Sequence, residues 1–280
     1  MSKHKDVKYL IIPDVHARDF WVEPVYEVLK NSDAHIVFLG DYLDPYPFEW
    51  EGVRVQDENG EWHDVDYKRL AIERFKEIIN LKKANPDRIT LLLGNHDGGY
   101  CIDFNVCTCR MDHKNAFEIG HLFTDNRELF QIGKRIKVGD KEFDLTHSGI
   151  LKGWAKSVWG DEADDPDFNV IDRLNNAWLI EDYTILDHLA DYDNFRGWGG
   201  YEYGSPVWAD IRSWWTKQPE DTYRYNIVGH TMSRAALGFS TIMNLDCQKA
   251  FYIDGEGAVR EYKTDEKVKI IDTTRKDGQA

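Results

Sequence analysis

The chain has 280 residues, of which 42% are hydrophobic and 30% are charged, and its formal net charge is −15 at pH 7. This length and composition indicate a soluble globular protein with a sizeable core, and cytoplasmic location is the default expectation. The acidic charge disfavours a nucleic-acid partner, which normally meets a basic face. No apolar run approaches the roughly 20 residues that span a bilayer, and the first apolar run is too short and too soon interrupted for a signal peptide.

Three apolar runs typical of strands come first, separated by stretches typical of helices. Val7 to Ile12 is the first strand, and its almost wholly apolar character predicts a central place in a sheet. His35 to Leu39 and Ile89 to Leu93 are the next two strands. Helices are predicted over Phe20 to Lys30 and over Tyr67 to Ala84. This alternation predicts parallel pairing with right-handed crossovers.

The segment from Pro45 to Val65 interrupts this alternation. Val53 to Gln56 and Glu61 to Val65 are typical of a β-hairpin that turns at Asn59-Gly60. Because the segment begins directly after Asp44, we expect it to lie over the functional site. It could be a solvated flap or a loop that contacts substrate.

The second half of the chain has a different pattern. We expect mostly helix from Gly98 to Phe130, an antiparallel hairpin over Arg135 to Thr146 and a helical tract from Asp167 to Leu189. A strand at Tyr225 to Val228 and several strands between about Ala236 and Tyr262 complete the predicted elements.

No linker or internal repeat divides the chain. We predict one domain over residues 1–265, with the hairpin at about 45–65 as an insertion, and a polar tail over residues 266–280. Residues 191–215 are rich in glycine and aromatic side chains. Such a run is more typical of core packing than of a platform for stacking bases.

The four cysteines are too few for a disulfide framework in a chain of this length. Cys101, Cys107 and Cys109 are close in sequence, but Cys-Thr-Cys lacks the Cys-x-x-Cys spacing of structural zinc sites. We therefore expect ordinary reduced cysteines here rather than a zinc site.

Polar side chains that can bind metals follow the carboxyl ends of the predicted strands. In open α/β sheets, this edge is where ligands bind. Carboxylate, amide and imidazole donors without thiolate suit Mn²⁺, Fe or Zn²⁺. The set is too large for one ion and about right for two ions that share a carboxylate. The candidate ligands are Asp14, His16, Asp41, Asn95, His147 and His230.

These residues stand in five motifs that resemble the calcineurin-like metallophosphoesterase superfamily, nearest to its Ser/Thr protein phosphatase and bis(nucleosyl)tetraphosphatase-like branch. The motifs are Asp14-Val15-His16, Gly40-Asp41-Tyr42-Leu43-Asp44, Gly94-Asn95-His96-Asp97, His147-Ser148-Gly149 and Gly229-His230-Thr231-Met232. One such tripeptide is a weak signal, whereas five in order across most of the chain are a strong one. The resemblance implies an α/β (α+β) fold, a four-layer αββα sandwich of two mixed β-sheets with outer helices.

The resemblance also implies two divalent metal ions (Mn, Fe or Zn) and a hydroxide held between them that attacks phosphorus in line. His96 would protonate the leaving oxygen, and Asp44 would orient His96 and keep it cationic. The implied metal ligands are Asp14 and His16 for the first ion, Asn95, His147 and His230 for the second, and Asp41 for both.

The favoured activity is therefore that of a phosphomonoesterase acting on a small molecule, a nucleotide or a phosphoprotein, so a phosphorylated small molecule or peptide is the expected partner. A dinucleoside polyphosphate hydrolase and a phosphodiesterase are the alternatives within the same chemistry. A non-catalytic metal-binding scaffold is the alternative outside it. The presence of Asp41, Asp44 and His96 argues against the scaffold.

The chain departs from the motifs at two positions. Met232 replaces the last histidine of Gly-His-x-His, and a thioether is a poor substitute for imidazole on such ions. We therefore expect a weaker and more exchangeable first metal site. Pro45 follows Asp44 where the nearest branch has an Arg-Gly that grips phosphate. Arg212 and Arg196 are the candidates for that substrate-binding role.

Overall fold

Two β-sheets lie at the centre of the fold. In the computed structural model, the described residues are 7–102, 108–165, 167–196, 200–214, 221–239 and 241–271. Their helices are α1 (Val22–Asn31), α2 (Tyr67–Ala84), α3 (Asn95–Cys101), α4 (Ala116–Thr124), α5 (Lys152–Trp159), α6 (Val170–Ile180), α7 (Tyr183–Leu186) and α8 (Ile211–Trp214). Their strands are β1 (Val7–Ile12), β2 (His35–Phe38), β3 (Arg54–Gln56), β4 (Trp62–Asp64), β5 (Ile89–Leu92), β6 (Phe130–Gln131), β7 (Gly133–Val138), β8 (Lys141–Thr146), β9 (Tyr225–Val228), β10 (Leu237–Phe239), β11 (Ile242–Asn244), β12 (Phe251–Asp254), β13 (Val259–Glu261) and β14 (Ile270–Ile271).

Both central sheets are mixed. Among the described residues, the first sheet has the strand order β13-β12-β1-β2-β5-β6 and the second has the order β14-β10-β11-β9-β8-β7. Strands β1, β2, β5 and β6 are parallel, whereas β12 pairs antiparallel with both β1 and β13. The central place of β1 and the parallel pairing predicted from strand–helix alternation are confirmed.

The central strands β1, β2 and β5 of the first sheet are mostly apolar because both faces of the sheet are largely buried. On β2, Ile36 and Phe38 pack against the helices, whereas Val37 points to the opposite face and packs against the second sheet. This alternation follows from the two-residue period of a strand. Phe143 and Ile227 of the second sheet complete the apolar layer between the sheets.

Helices cover the outer faces of both sheets. Residues of α1, α2 and α4 belong to the apolar cluster on the outside of the first sheet, among them Val25, Phe75 and Phe123. Ile211 of α8 packs with Val228 on the second sheet. The layers are therefore helix, sheet, sheet and helix, and the predicted αββα sandwich is confirmed.

The hairpin predicted after the second strand is present. Strands β3 and β4 pair antiparallel, with Arg54 opposite Asp64 and Gln56 opposite Trp62. All six residues of the two strands are exposed. A 3₁₀ helix, Pro47–Glu49, precedes them.

Several boundaries differ from the predictions. Helix α1 begins at Val22 rather than Phe20, because Pro24 lacks an amide hydrogen and is best accommodated in a first turn. Helix α5 was not predicted. The helical region expected over 98–130 is divided into α3 and α4, and it ends in strand β6. Residues 103–107 lie outside the described residues.

Parts of the aromatic-rich segment 191–215 and of the predicted tail 266–280 lie among the described residues. Tyr203 and Trp208 pack against the main apolar cluster, as expected for core side chains, whereas Trp198 and Trp215 lie outside the described residues. Within the predicted tail, Val268 is buried and β14 pairs with β10. The assignment of a single domain stays a prediction.

Two further observations concern cysteines and membranes. Cys101, Cys109 and Cys247 are free thiols, and Cys107 lies outside the described residues. No helix in the described parts of the chain combines the length and the apolar character that a membrane span requires.

Phe75 is a test of this core, because its ring is fully buried and lies 4.7 Å from Phe123 and 5.1 Å from Tyr42 between ring centroids. Phe75→Ala should lower the free energy of unfolding by about 3–5 kcal/mol, since it removes a large buried side chain and leaves a cavity. Phe117→Ala is the matched control, because Phe117 is also helical but 83% exposed, and it should change stability by less than about 0.5 kcal/mol. Equal losses in urea unfolding would contradict this packing.

Candidate metal centre

The sequence motifs meet at the carboxyl ends of β1, β2, β5, β8 and β9. Four of their residues adopt left-handed backbone conformations, with φ of 43° at His16, 52° at Asp41, 55° at Asp44 and 68° at His230. Residues other than glycine rarely adopt such backbone angles. Strain of this kind concentrates at functional sites, where the surrounding structure compensates for it.

The carboxylate of Asp41 lies at the centre of the site. Its Oδ2 is 3.4 Å from Nε2 of His16 and also 3.4 Å from Nε2 of His147. Its Oδ1 accepts a hydrogen bond of 3.0 Å from the amide of His96. Asp41 is therefore a single buried carboxylate placed between two imidazoles that come from different sheets.

A second group of donor atoms lies on one side of Asp41. Oδ1 of Asn95 is 3.0 Å from Nε2 of His147 and 2.9 Å from Nδ1 of His230, and these two nitrogens are 3.1 Å apart. Atoms that bind one metal at right angles lie about 3 Å apart, given metal–ligand bonds of about 2.1 Å. The three atoms therefore have the mutual spacing of ligands around a common ion.

The hydrogen bonds of the histidines leave the nitrogens that face the centre free of backbone partners. Nδ1 of His16 lies 2.6 Å from the carbonyl of Leu43, and Nδ1 of His147 lies 2.9 Å from the carbonyl of Leu39. An N–H at Nδ1 that donates to these carbonyls leaves the Nε2 lone pair available to a metal. Burial and then Arg196 lower the pKa of His230 well below its usual value, which favours the neutral form that a metal requires.

Asp14 completes the group of candidate ligands. Its two carboxylate oxygens lie 2.9 and 3.1 Å from the amide of His230, which donates to them. A Cβ at Gly229 would lie 2.0 Å from Oδ1 of Asp14, and a Cβ at Gly94 would lie 2.1 Å from Oδ1 of Asp41. Only glycine allows the two motif backbones to approach the carboxylates this closely.

The residues present fit divalent metal ions. Donor atoms of Asp41, His147 and His230 lie within 4.8 Å of one another, and His16 and Asp41 belong to a second such group. Burial raises the pKa of Asp14, and the nearby charge of Asp41 adds to this shift. Neighbouring buried carboxylates are stable as anions only beside cations, and imidazole and carboxylate donors suit first-row ions.

His96 forms a hydrogen-bonded chain with two side chains. Its Nδ1 lies 2.7 Å from Oδ2 of Asp44, and the hydroxyl of Tyr100 donates to Oδ1 of Asp44 at 2.5 Å. Burial opposes a charge on His96, but Asp41 and the hydrogen bond to Asp44 outweigh it and raise the pKa of His96 to about 10. These two interactions favour the protonated form of His96. Tyr100 is a member of this hydrogen-bonded group that the sequence did not reveal.

Asp97, the last residue of its motif, joins two of the strand-end loops. Its Oδ2 accepts from the amides of Asp41 and Gly94 at 2.7 and 2.8 Å, and its Oδ1 accepts from the amide of Tyr42 at 3.1 Å. This carboxylate fixes the backbone that presents Asp41. The motif contained Asp97, but the sequence alone gave no reason to assign it this role.

Arg110 was not predicted and lies beside His96. Its Nη2 is 3.3 Å from Nε2 of His96, and its Nε donates to the carbonyl of Asp44 at 3.0 Å. The guanidinium stacks on the ring of Tyr46, 3.7 Å from the ring centroid. No carboxylate among the described residues forms an ion pair with it.

The two arginines chosen from the sequence share one acidic partner. Nε of Arg196 lies 2.7 Å from Asp210 and Nε of Arg212 lies 2.8 Å from it, and Asp210 is buried. Arg196 also donates to the hydroxyl of Thr231 at 2.9 Å, next to His230. Both guanidinium groups thus already have an acidic partner, and the substrate-binding role predicted for Arg196 and Arg212 stays a prediction.

Comparison with known proteins agrees with the motifs. The family model for the calcineurin-like phosphoesterases matches residues 7–234. A solved structure of a protein serine/threonine phosphatase from Saccharomyces cerevisiae with similarity to human phosphatase PP5 is 14% identical in sequence, and the match covers 89% of this chain and 73% of that chain with a TM-score of 0.48. Because the family model matches most of the chain, the resemblance is confirmed. The chain belongs to the calcineurin-like phosphoesterase family and is a metal-dependent phosphoester hydrolase.

Proposed function

We propose that this protein is a dinuclear phosphomonoesterase. The observation that carries the proposal is the position of Asp41, whose Oδ2 lies 3.4 Å from a nitrogen of His16 on one side and of His147 on the other. A carboxylate between two sets of donors can bind two ions at once. The proposed ligands are Asp14, His16 and Asp41 for the first ion, and Asp41, Asn95, His147 and His230 for the second.

Two divalent ions (Mn, Fe or Zn) would supply a water of lowered pKa and would neutralise charge on the phosphoryl oxygens. The protein's own residues then manage the leaving group. His96 holds a proton on Nε2 and gives it to the leaving oxygen as the bond from that oxygen to phosphorus breaks and the bond to the oxygen derived from water forms. Asp44 orients the ring throughout, and solvent returns the proton to His96.

Arg110 would bind the phosphate. It would take the role of the arginine that follows the motif aspartate in the related branch, where this chain has Pro45. Its Nη2 and Nε2 of His96 are two donors that lie 3.3 Å apart, so one phosphate oxygen can contact both. Stacking on Tyr46 fixes the plane of the guanidinium. Arginine suits this role because its planar donors match the geometry of phosphate oxygens.

The direct test of the proposed function uses protein stripped of metal with a chelator and refilled with Mn²⁺. It should hydrolyse p-nitrophenyl phosphate, and the stripped protein should not. Asp41→Asn should lose this activity by at least about a hundredfold, because an amide is a poor bridge between two cations. In equilibrium dialysis, Asp41→Asn should bind fewer Mn²⁺ ions than the two that the wild type binds.

The choice of substrate class is part of this test. Bis-p-nitrophenyl phosphate should be a much poorer substrate than the monoester. Turnover of the diester alone would replace the monoesterase proposal with a phosphodiesterase. Two bound ions without turnover of either compound would contradict the proposed activity on simple monoesters. Phosphopeptides and dinucleoside polyphosphates would then be the next substrates to measure.

Arg110→Ala should lower kcat/KM for p-nitrophenyl phosphate by about a hundredfold, since it removes a preorganised charged donor to the phosphoryl oxygens. Arg110→Lys should recover only part of this loss, because a lysine ammonium cannot match the planar donors. Arg173→Ala is the matched control, since Arg173 is an exposed arginine paired with Glu162, and its kinetics should be those of the wild type. Unchanged kinetics in Arg110→Ala would exclude Arg110 as the phosphate-binding residue.

A further inference from the structure

The proposed first metal site has an unfilled position in its ligand set. Residue 232, which would be a histidine in the full Gly-His-x-His motif, is a methionine whose surface is 50% exposed. Asp14, His16 and Asp41 are then the only proposed ligands for the first ion among the described residues. First-row ions usually bind four or more ligands, so another donor from the chain or from water is required.

Asp246 is a carboxylate that no part of the proposed mechanism uses. It is 3% exposed, and its Oδ1 is buried without a hydrogen-bond partner in the described parts of the chain. A buried polar oxygen without a partner is costly and therefore rare in native proteins. Such an atom is expected where a ligand supplies the missing interaction.

The backbone brings Asp246 to the edge of the sheet that holds the metal site. Strand β11 ends two residues before it and pairs parallel with β9, where Asn244 lies opposite Val228. The carbonyl of Asp246 accepts from the amide of Ser233 at 2.8 Å. Asp246 is therefore fixed beside the loop that carries His230 and Met232.

The charged groups that act on Asp246 include a proposed ligand of the first metal. Burial and then the carboxylate of Asp14 raise the pKa of Asp246 well above its usual range. Arg18 and His147 oppose this shift, but Nε and Nη2 of Arg18 already donate to Glu49 at 3.0 and 2.9 Å. Two buried carboxylates that repel each other are both ionised far more readily when a cation lies close to them.

We propose that Asp246 is a further ligand of the first metal ion, where it supplies the donor that Met232 cannot. The ligand class is a hard carboxylate oxygen, which suits Mn²⁺ and Fe better than a thioether does. This inference rests on the proposed dinuclear function. With Asp246 as a ligand, the first metal site would not be weakened by the replacement of histidine by Met232, in contrast to what the sequence alone led us to expect.

The test measures Mn²⁺ binding to metal-free protein by equilibrium dialysis and by electron paramagnetic resonance of free Mn²⁺, so it does not depend on activity. Asp246→Asn should weaken one of the two sites by at least about tenfold and leave the other unchanged. Adding Met232→His to Asp246→Asn should restore the weakened site, because the imidazole returns the donor that the motif normally provides. Asp144→Asn is the matched control, since Asp144 is equally buried but paired with Arg135.

Met232→His alone gives a second test that does not require the Asp246 variant to fold. If Asp246 already binds the ion, this change should tighten the first site by less than about threefold, whereas an open position should gain at least about tenfold. Two ions bound by Asp246→Asn with wild-type affinities, or a large gain in Met232→His alone, would overturn the inference and leave the dinuclear function standing. Fewer than two ions bound by the wild type would overturn both.

Discussion

The burial of the Asp41 carboxylate is the constraint on which the site depends. Asp41 is 2% exposed, and an isolated charge of this kind would be strongly destabilising. The surrounding structure supplies donors on every side, from His16 and His147 to the backbone amide of His96. Asp97 in turn fixes the backbone of Asp41 and keeps it in its left-handed conformation.

This arrangement requires both sheets at once. Asp41 follows β2 of the first sheet, whereas His147 and His230 follow β8 and β9 of the second. The apolar layer between the sheets therefore sets the separation of the ligands. Glycine at positions 94 and 229 lets the loops approach within the distances that the carboxylates need. The packing of the two sheets thus determines where the candidate metal ligands lie.

Much of this could be predicted from the sequence, for local reasons. The first three predicted strands are mostly buried, so their sequences are almost continuously apolar, and a short polar motif follows each of them. Such motifs place ligands within a few residues of a strand end, which is information that a sequence carries directly. The candidate ligands followed from these features, and the αββα layers were implied by the family resemblance.

Other parts of the site depend on contacts between residues distant in sequence, which no local pattern records. Arg110 lies beside His96 although the two are 14 positions apart, and Tyr100 of α3 donates to Asp44 in the loop after β2. Asp246 lies beside the loop of His230 only because β11 pairs with β9. Arg196 and Arg212 illustrate the converse, because their selection from the sequence as phosphate-binding candidates did not reveal that Asp210 pairs with both.

The most direct measurement of the central claim is anomalous diffraction from a crystal of the protein soaked in Mn²⁺. A carboxylate that bridges two ions predicts two anomalous peaks about 3.5–4 Å apart, one on the His16 side of Asp41 and one on the His147 side. A single peak, or peaks that do not adjoin Asp41, would contradict a dinuclear centre organised by this residue.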